Sequence, residues 1–179
     1  MISAIPPPNP FFERMGAHLC EVMTEMFAAL ECPVSLSTSA AELPPDERAG
    51  VAAIGYVGEK VRGVLLLSAS EFAIERWMEC MGVTDCDIGD ALGEFANMLL
   101  GRLKARLLKE GLPISLAIPT ATIGVGLRFS VPPPHSMSFV FQGPGWTVRT
   151  RLHATFEAGF ALEERASELA AEAGRVVLF

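Results

Sequence analysis

Residues 87–106 read DIGDALGEFANMLLGRLKAR, and this stretch decides how the rest of the chain is interpreted. On a helix with about 100° per residue, four residues share one side, within about 60° of one another: Asp90, Glu94, Asn97 and Gly101. The opposite side carries four large apolar side chains: Leu92, Phe95, Leu99 and Leu103. The pattern therefore predicts a long helix that is buried on one side and presents a carboxylate, an amide and a glycine on the other.

The polar side of this helix has an ordinary structural explanation beside a functional one. Asp90 lies three residues after Asp87, so it also suits a role at the helix N-terminus and its dipole. Glu94 also suits an ordinary solvated position. Asn97 is unfavourable inside a helix and nothing local explains it. Gly101 costs roughly 1 kcal/mol against Ala, and the bare patch that it leaves would let another molecule's backbone approach.

The remaining pattern indicates further helices and antiparallel strands. Asn9 and Pro10 suit the start of an amphipathic helix that extends to about residue 30. The apolar runs 49–57 and 61–68 flank a short turn that contains Gly58, and they predict a hairpin. Further strands are predicted over 34–38, 114–118, 124–131, 136–142 and 146–156, and further helices over 71–81 and 157–173.

The order of these elements suggests two halves of similar layout, although no residue-level repeat proves a duplication. Each half has a long helix followed by three or four strands, and each closes with a further helix. We expect an α+β fold in which long helices pack on an antiparallel-rich sheet, as one domain over residues 1–179. Within it, residues 1–8 form a Pro-rich N-terminal segment, and residues 157–179 form a C-terminal helix and apolar tail.

The composition of the 179-residue chain excludes several classes of function. Lys and Arg number 14 against 21 Asp and Glu, which gives a net charge of −7. Binding of nucleic acid or of an anionic membrane surface requires clustered basic residues, so neither partner is expected. No segment approaches the roughly 20 apolar residues of a membrane span. The first residues lack the features of a secretory signal, so we expect a cytoplasmic location.

Cysteine, histidine and methionine give no pattern of a catalytic or metal site. The cysteines match no metal or redox spacing and are expected to be small core residues in a reducing compartment: Cys20, Cys32, Cys80 and Cys86. The histidines share no spacing with an acid or a cysteine: His18, His135 and His153. Four methionines are expected to fill the core and not to form a binding surface: Met23, Met26, Met78 and Met98.

The long helix and the strand region after it resemble the CheX/CheC family of chemotaxis phosphatases. The shared pattern is Asp90-x-x-x-Glu94-x-x-Asn97 with Gly101 after it, and the stretch 114–124 resembles the family's strand, proline and glycine, with Pro119 at its centre. The gap between Asn97 and Pro119 is close to the family's and differs from it by at most one residue. The resemblance implies the family's fold over most of the chain, and it is weakest at the two ends.

The resemblance implies a phosphatase that hydrolyses the aspartyl phosphate of a CheY-type response regulator. Glu94 would bind the regulator's active-site lysine, and Asn97 would orient the attacking water. Asp90, Gly101 and Pro119 would contact the regulator. No cofactor is implied in this chain, because the Mg²⁺ belongs to the regulator. The residue types suit this chemistry, since an acyl phosphate is already reactive and an amide offers both a donor and an acceptor to position water.

Some family members carry the motif in both halves, but the first long helix here offers Glu21 with Thr24 or Glu25 and no Asn. We therefore expect one active site per chain, as in the CheX-like branch. The resemblance also implies a homodimer joined through sheet edges. The apolar tail, Val176 to Phe179, suits either such a contact or packing on the chain's own sheet. Two other functions stay open: a non-catalytic adaptor that binds a response regulator or flagellar-switch protein, and a switch component of the CheC/FliM type.

Overall fold

The computed structural model of the chain describes residues 9–37, 46–83, 85–129 and 136–157. Within these ranges lie three helices: α1 (Pro10–Ala29), α2 (Glu71–Cys80) and α3 (Ile88–Lys109). Seven strands form one antiparallel sheet: β1 (Ser35–Ser37), β2 (Arg48–Gly58), β3 (Val61–Ser70), β4 (Ile114–Leu116), β5 (Thr120–Val125), β6 (Ser136–Gly143) and β7 (Trp146–Phe156). None of these three helices combines the length and the apolar character that crossing a membrane requires.

Each helix begins at a residue whose side chain caps it. The Asn9 side-chain oxygen accepts a hydrogen bond from the backbone N–H of Phe11 at 2.9 Å. The Asp87 carboxylate accepts one from the N–H of Gly89 at 2.7 Å, and Ser70 caps α2 in the same way. These contacts satisfy N–H groups that have no partner within the helix, so short local patterns in the sequence fix where the helices begin.

The order of strands in the sheet is symmetric about its centre. It runs β1-β6-β7-β3-β2-β4, and β5 also pairs with β2. The hairpins β2–β3 and β6–β7 meet through the central pair β3–β7. The first strand of each half then lies on the hairpin of the other half, since β1 pairs with β6 while β4 and β5 pair with β2. The expected α+β fold of two similar halves is confirmed.

The helices share one core with a single face of the sheet. Its centre is a cluster of four buried aromatic side chains, one from each helix and one from β7. The ring of Phe95 on α3 lies 5.1 Å from Phe27 of α1 and 5.0 Å from Trp77 of α2, and Phe27 lies 5.2 Å from Trp146 of β7. Because every helix contributes to this cluster, the position of α3 depends on both halves of the chain.

The strand predicted over 124–131 begins and ends earlier along the chain, and only positions 124 and 125 of the predicted range lie in it. Strand β5 covers Thr120–Val125 and pairs with β2 from Thr120 opposite Ala53 to Val125 opposite Arg48. It ends at Val125, and the next residue, Gly126, has a φ of 67°. This left-handed conformation does not continue a strand, whereas the alternation of apolar residues continues through it. The predicted C-terminal helix, the apolar tail and the Pro-rich segment 1–8 lie outside the described residues.

The structure corrects the expectation that all four cysteines are core thiols. Cys32 and Cys80 form a disulfide that joins the chain just after α1 to the last residue of α2. The two residues are 48 positions apart in sequence, so no local spacing could predict the pairing. Cys20 and Cys86 are partly buried free thiols.

Candidate functional site

Helix α3 presents its two sides as the sequence predicts. Its apolar side is buried under the sheet and the neighbouring helices, and Leu92, Phe95 and Leu99 lie in the core. On the opposite side three polar residues are exposed and a glycine is half-buried: Asp90, Glu94, Asn97 and Gly101. We call these four residues the α3 stripe.

Glu94 and Asn97 are neighbours within the α3 stripe. Residues three positions apart on a helix lie side by side, so the carboxylate and the amide face the same solvent region. Neither side chain forms a hydrogen bond or an ion pair within the described parts of the chain. The fold holds both groups at its surface and leaves their hydrogen-bonding capacity for another molecule.

Packing within the chain does not require a glycine at position 101. A Cβ atom built on Gly101 would meet no atom within 4 Å. By contrast, a Cβ on Gly16 of α1 would lie 2.7 Å from the side chain of Met137. Gly101 therefore leaves a bare section of helix backbone directly beyond Asn97, at a cost in helix stability of roughly 1 kcal/mol.

Pro119 lies beside the α3 stripe, in the loop between β4 and β5. A Cβ on Gly93 would lie 4.0 Å from the Pro119 ring, in ordinary contact. Gly93 is four residues before Asn97, which is about 6 Å along the helix axis. The structure thus brings Pro119 to the same surface as Glu94 and Asn97, although it comes from a separate element.

Two exposed apolar residues near the stripe are not predicted by the sequence patterns. The strand pattern predicts Ile118 as the end of β4, but β4 ends at Leu116 and the Ile118 side chain is 89% exposed. The methionine pattern predicts Met98 as core, but it is 41% exposed, whereas Met23 and Met26 are buried. Helix periodicity does predict the exposure of Met98. Its position is about 100° round the helix from Asn97 and away from the apolar side.

Helix α1 is the counterpart of α3 in the other half, and its buried positions show where a second copy of the motif would lie. The buried positions coincide when Met15 is matched with Phe95 and Leu19 with Leu99. Arg14 and Ala17 then occupy the places of Glu94 and Asn97, so α1 has the position of the motif but not its residues. The alternative placement, at Glu21 with Thr24 or Glu25, also lacks the Asn, and one active site per chain stays a prediction.

Two acids of α1, Glu21 and Glu25, are bound within the chain. Arg106 of α3 donates hydrogen bonds to Glu21 and, at 2.6 Å, to Glu25. These ion pairs raise the pKa of Arg106, with the bond to Glu25 as the largest contribution. The Thr24 hydroxyl donates to the carbonyl oxygen of Cys20. Glu21 and Glu25 therefore join α1 to α3, whereas the Thr24 hydroxyl bonds within α1.

Among the described residues, neither His18 nor His153 forms a hydrogen bond or an ion pair with a residue of the α3 stripe. His18 lies at the contact of α1 with α3, with Nε2 2.8 Å from a carboxylate oxygen of Glu110. His153 lies on β7, and His135 is outside the described residues. Burial raises the pKa of the Cys20 thiol to about 11, so this residue is protonated at neutral pH and is a poor nucleophile.

Two similar halves around one sheet, with a long helix that displays an acid and an amide, define a protein of the CheC/CheX-like class. A sequence model of the family described as chemotaxis phosphatase CheX matches residues 51–142, just over half of the chain. The chain belongs to this family. No curated protein sequence matches it.

Solved structures show the same fold at low sequence identity. A CheC-like superfamily protein from Shewanella sp. PV-4 is 18% identical with a TM-score of 0.68, over 79% of this chain and 97% of that one. CheX from Vibrio vulnificus is 20% identical with a TM-score of 0.62, over 82% and 97%. A chain in the CheX–CheY–BeF₃–Mg²⁺ complex from Borrelia burgdorferi is 14% identical with a TM-score of 0.58, over 79% and 96%. These similarities establish the fold.

Proposed function

We propose that this protein hydrolyses the aspartyl phosphate of a CheY-type response regulator. The observation that carries the proposal is the exposed pair Glu94 and Asn97, which has no partner within the described residues and lies on a helix buried on its other side. Membership in the family of chemotaxis phosphatase CheX supports the reaction. The crystallised complex of a structural relative with CheY supports the partner.

In the proposed reaction, Asn97 enters the regulator's phosphorylation site and positions a water in line with the bond to be broken. The amide accepts a hydrogen bond from the water and donates one to a phosphoryl oxygen. The water oxygen attacks phosphorus, the bond to the aspartate oxygen breaks, and inorganic phosphate and the free carboxylate result. The regulator's own Mg²⁺ neutralises charge on the phosphoryl oxygens, and this chain supplies no cofactor.

Glu94 binds the regulator's active-site lysine and holds the two proteins in the reactive orientation. Asp90 lies one turn before Glu94 and adds negative charge beside the same lysine. An ion pair that a partner desolvates is worth more than one in water, and loss of one member costs on the order of 2–5 kcal/mol. Gly101 and Pro119 complete the contact. Gly101 leaves room for the regulator, and Pro119 forms the edge of the surface that the regulator contacts.

The decisive experiment measures the lifetime of a phosphorylated regulator with wild-type protein and with Asn97→Ala. Ala is the better helix former, so the variant should fold at least as well as the wild type. It should lose most of the acceleration of phosphate release while binding is largely retained. Full activity of Asn97→Ala would show that the assigned mechanism is wrong. A wild-type protein that binds the regulator without shortening its lifetime would identify an adaptor instead.

The role of Glu94 is tested by binding to a regulator loaded with BeF₃⁻ and Mg²⁺. Glu94→Ala should weaken both binding and turnover, whereas Glu75→Ala removes an exposed carboxylate from α2 and should change neither. Equal affinities of the two variants would reduce Glu94 to an ordinary solvated acid.

We also propose a cytoplasmic homodimer, joined through the edges of the sheet. Among the described strands β1 forms one edge, and β4 with β5 forms the other. Edge strands carry unpaired backbone groups, and pairing two of them across a twofold axis would satisfy these groups. The α3 stripe stays accessible, because it lies on the helix layer. Light scattering that shows a monomer at micromolar concentration would rule out the dimer and leave the site assignment standing.

The extent of the domain is a separate point. One domain over residues 1–179 stays a prediction.

A further inference from the structure

Large apolar side chains lie on both sides of the Glu94–Asn97 pair. On one side, the Pro119 ring lies 4.0 Å from where a Cβ on Gly93 would be, and Ile118, the residue before Pro119, is 89% exposed. Met98 follows Asn97 and lies about 100° round the helix on the other side, 41% exposed. Isolated exposed apolar residues are common, but here two of them bracket one polar pair that itself has no partner within the described residues.

Beyond the α3 stripe, the same side of the helix carries a positive charge, opposite in sign to that of Glu94. Lys104 lies two turns beyond Asn97 on the same side of the helix and is exposed. It forms no ion pair within the described residues. It lies ten positions after Glu94, which is about 15 Å along the axis, and the bare backbone of Gly101 lies between them. The surface therefore presents an acid at one end and a base at the other.

We propose that Met98, Ile118 and Lys104 are specificity-determining contacts for the response regulator. The inference rests on the proposed function and adds to it the character of the partner surface. That surface presents its active-site lysine within an apolar patch, and a carboxylate about 15 Å from that lysine. The apolar contacts exclude water around Glu94, which strengthens its ion pair with the lysine. Lys104 fixes the direction in which the regulator lies along α3.

The apolar part of the proposal is tested with the double variant Met98→Ala/Ile118→Ala. Its affinity for a CheY-type regulator loaded with BeF₃⁻ and Mg²⁺ should fall roughly tenfold, while the turnover at saturating phosphorylated regulator is retained. The matched control is Val57→Ala, which removes an apolar side chain that is 55% exposed. Its neighbour Tyr56 points into the core, so Val57 lies on the face of the sheet away from α3.

The charged part is tested with Lys104→Glu against Lys60→Glu, which makes the same change in net charge in the β2–β3 turn. Lys104→Glu should bind about fivefold more weakly than its control at low salt, and the difference should narrow as salt screens the interaction. Thermal melting should show both pairs of proteins folded, because all the altered side chains are exposed or partly exposed.

The outcomes separate this proposal from the proposed function. If the double variant binds as tightly as Val57→Ala, or Lys104→Glu as tightly as Lys60→Glu, the specificity contacts are wrong. If the wild-type protein meanwhile shortens the regulator's lifetime and Asn97→Ala does not, the phosphatase assignment still stands. If the wild-type protein binds no regulator, both proposals fail together.

Discussion

Replacement of Gly101 by alanine should make the protein more stable and less able to bind its partner. Glycine in a helix interior is less favourable than alanine by about 1 kcal/mol. A Cβ at position 101 would meet no atom within 4 Å, so no clash offsets this gain. For a chain of this size, about 1 kcal/mol corresponds to a rise in Tm of roughly 2–4 °C.

Binding should change in the opposite direction, because the added methyl group occupies the space into which the regulator is proposed to fit. A steric cost of about 1 kcal/mol would weaken the affinity roughly fivefold. Gly101→Leu extends the series, since leucine is nearly as good a helix former as alanine but much larger. We expect both variants to be stabilised, and the loss of affinity to increase with side-chain size.

Gly93→Ala is the matched control, because it lies on the same helix but under Pro119 and not on the open surface. A Cβ there would lie 4.0 Å from Pro119, so the variant should gain similar stability and keep its affinity. Thermal melting and binding to the BeF₃⁻-loaded regulator measure the two effects separately. Normal affinity of Gly101→Leu would remove Gly101 from the interface, and a fall in Tm for Gly101→Ala would contradict the structural argument.

Four further predictions concern the scaffold. Phe95→Ala should lower the free energy of unfolding by about 3–5 kcal/mol in urea titrations, because the buried ring contacts Phe27 and Trp77. Arg106→Ala should cost about 1 kcal/mol or less, and less still at high salt, because its partners Glu21 and Glu25 are exposed. Thiol titration of the unfolded, unreduced chain should give two thiols. In the folded protein at pH 7, Cys20 should be alkylated slowly, and faster as the pH approaches its pKa of about 11.

The parts of the fold that local chemistry controls could be predicted from the sequence. Caps at Asn9, Ser70 and Asp87 place the helix starts, and the turn after Gly58 sets the β2–β3 hairpin. The position of β5 could not be obtained in this way. It depends on pairing with β2, which is distant in sequence, and on the left-handed conformation of Gly126.

The candidate site likewise has features that local sequence patterns predict and features that depend on contacts between distant segments. The exposure of Glu94 and Asn97 follows from helix periodicity, since one helix determines both positions. The exposure of Ile118 depends on where β4 ends, and the contact of Pro119 with Gly93 depends on how the sheet carries that loop to α3. The Cys32–Cys80 disulfide likewise depends on the meeting of two separate helix ends. Such contacts between distant segments leave no periodic trace in the sequence.

The two halves exchange their outer strands, so neither half is complete without the other. The arrangement resembles a domain swap within one polypeptide. The central pair of strands is β3 and β7. The described sheet is therefore complete only after the chain has been synthesised as far as residue 156. Contacts between such distant segments form slowly, and a nascent chain that lacks them exposes strand edges. Helix α3 packs against β2 of one half and against β4 and β5 of the other. A translation product that stops before β4 therefore lacks part of the surface that holds Glu94 and Asn97 in place for a partner.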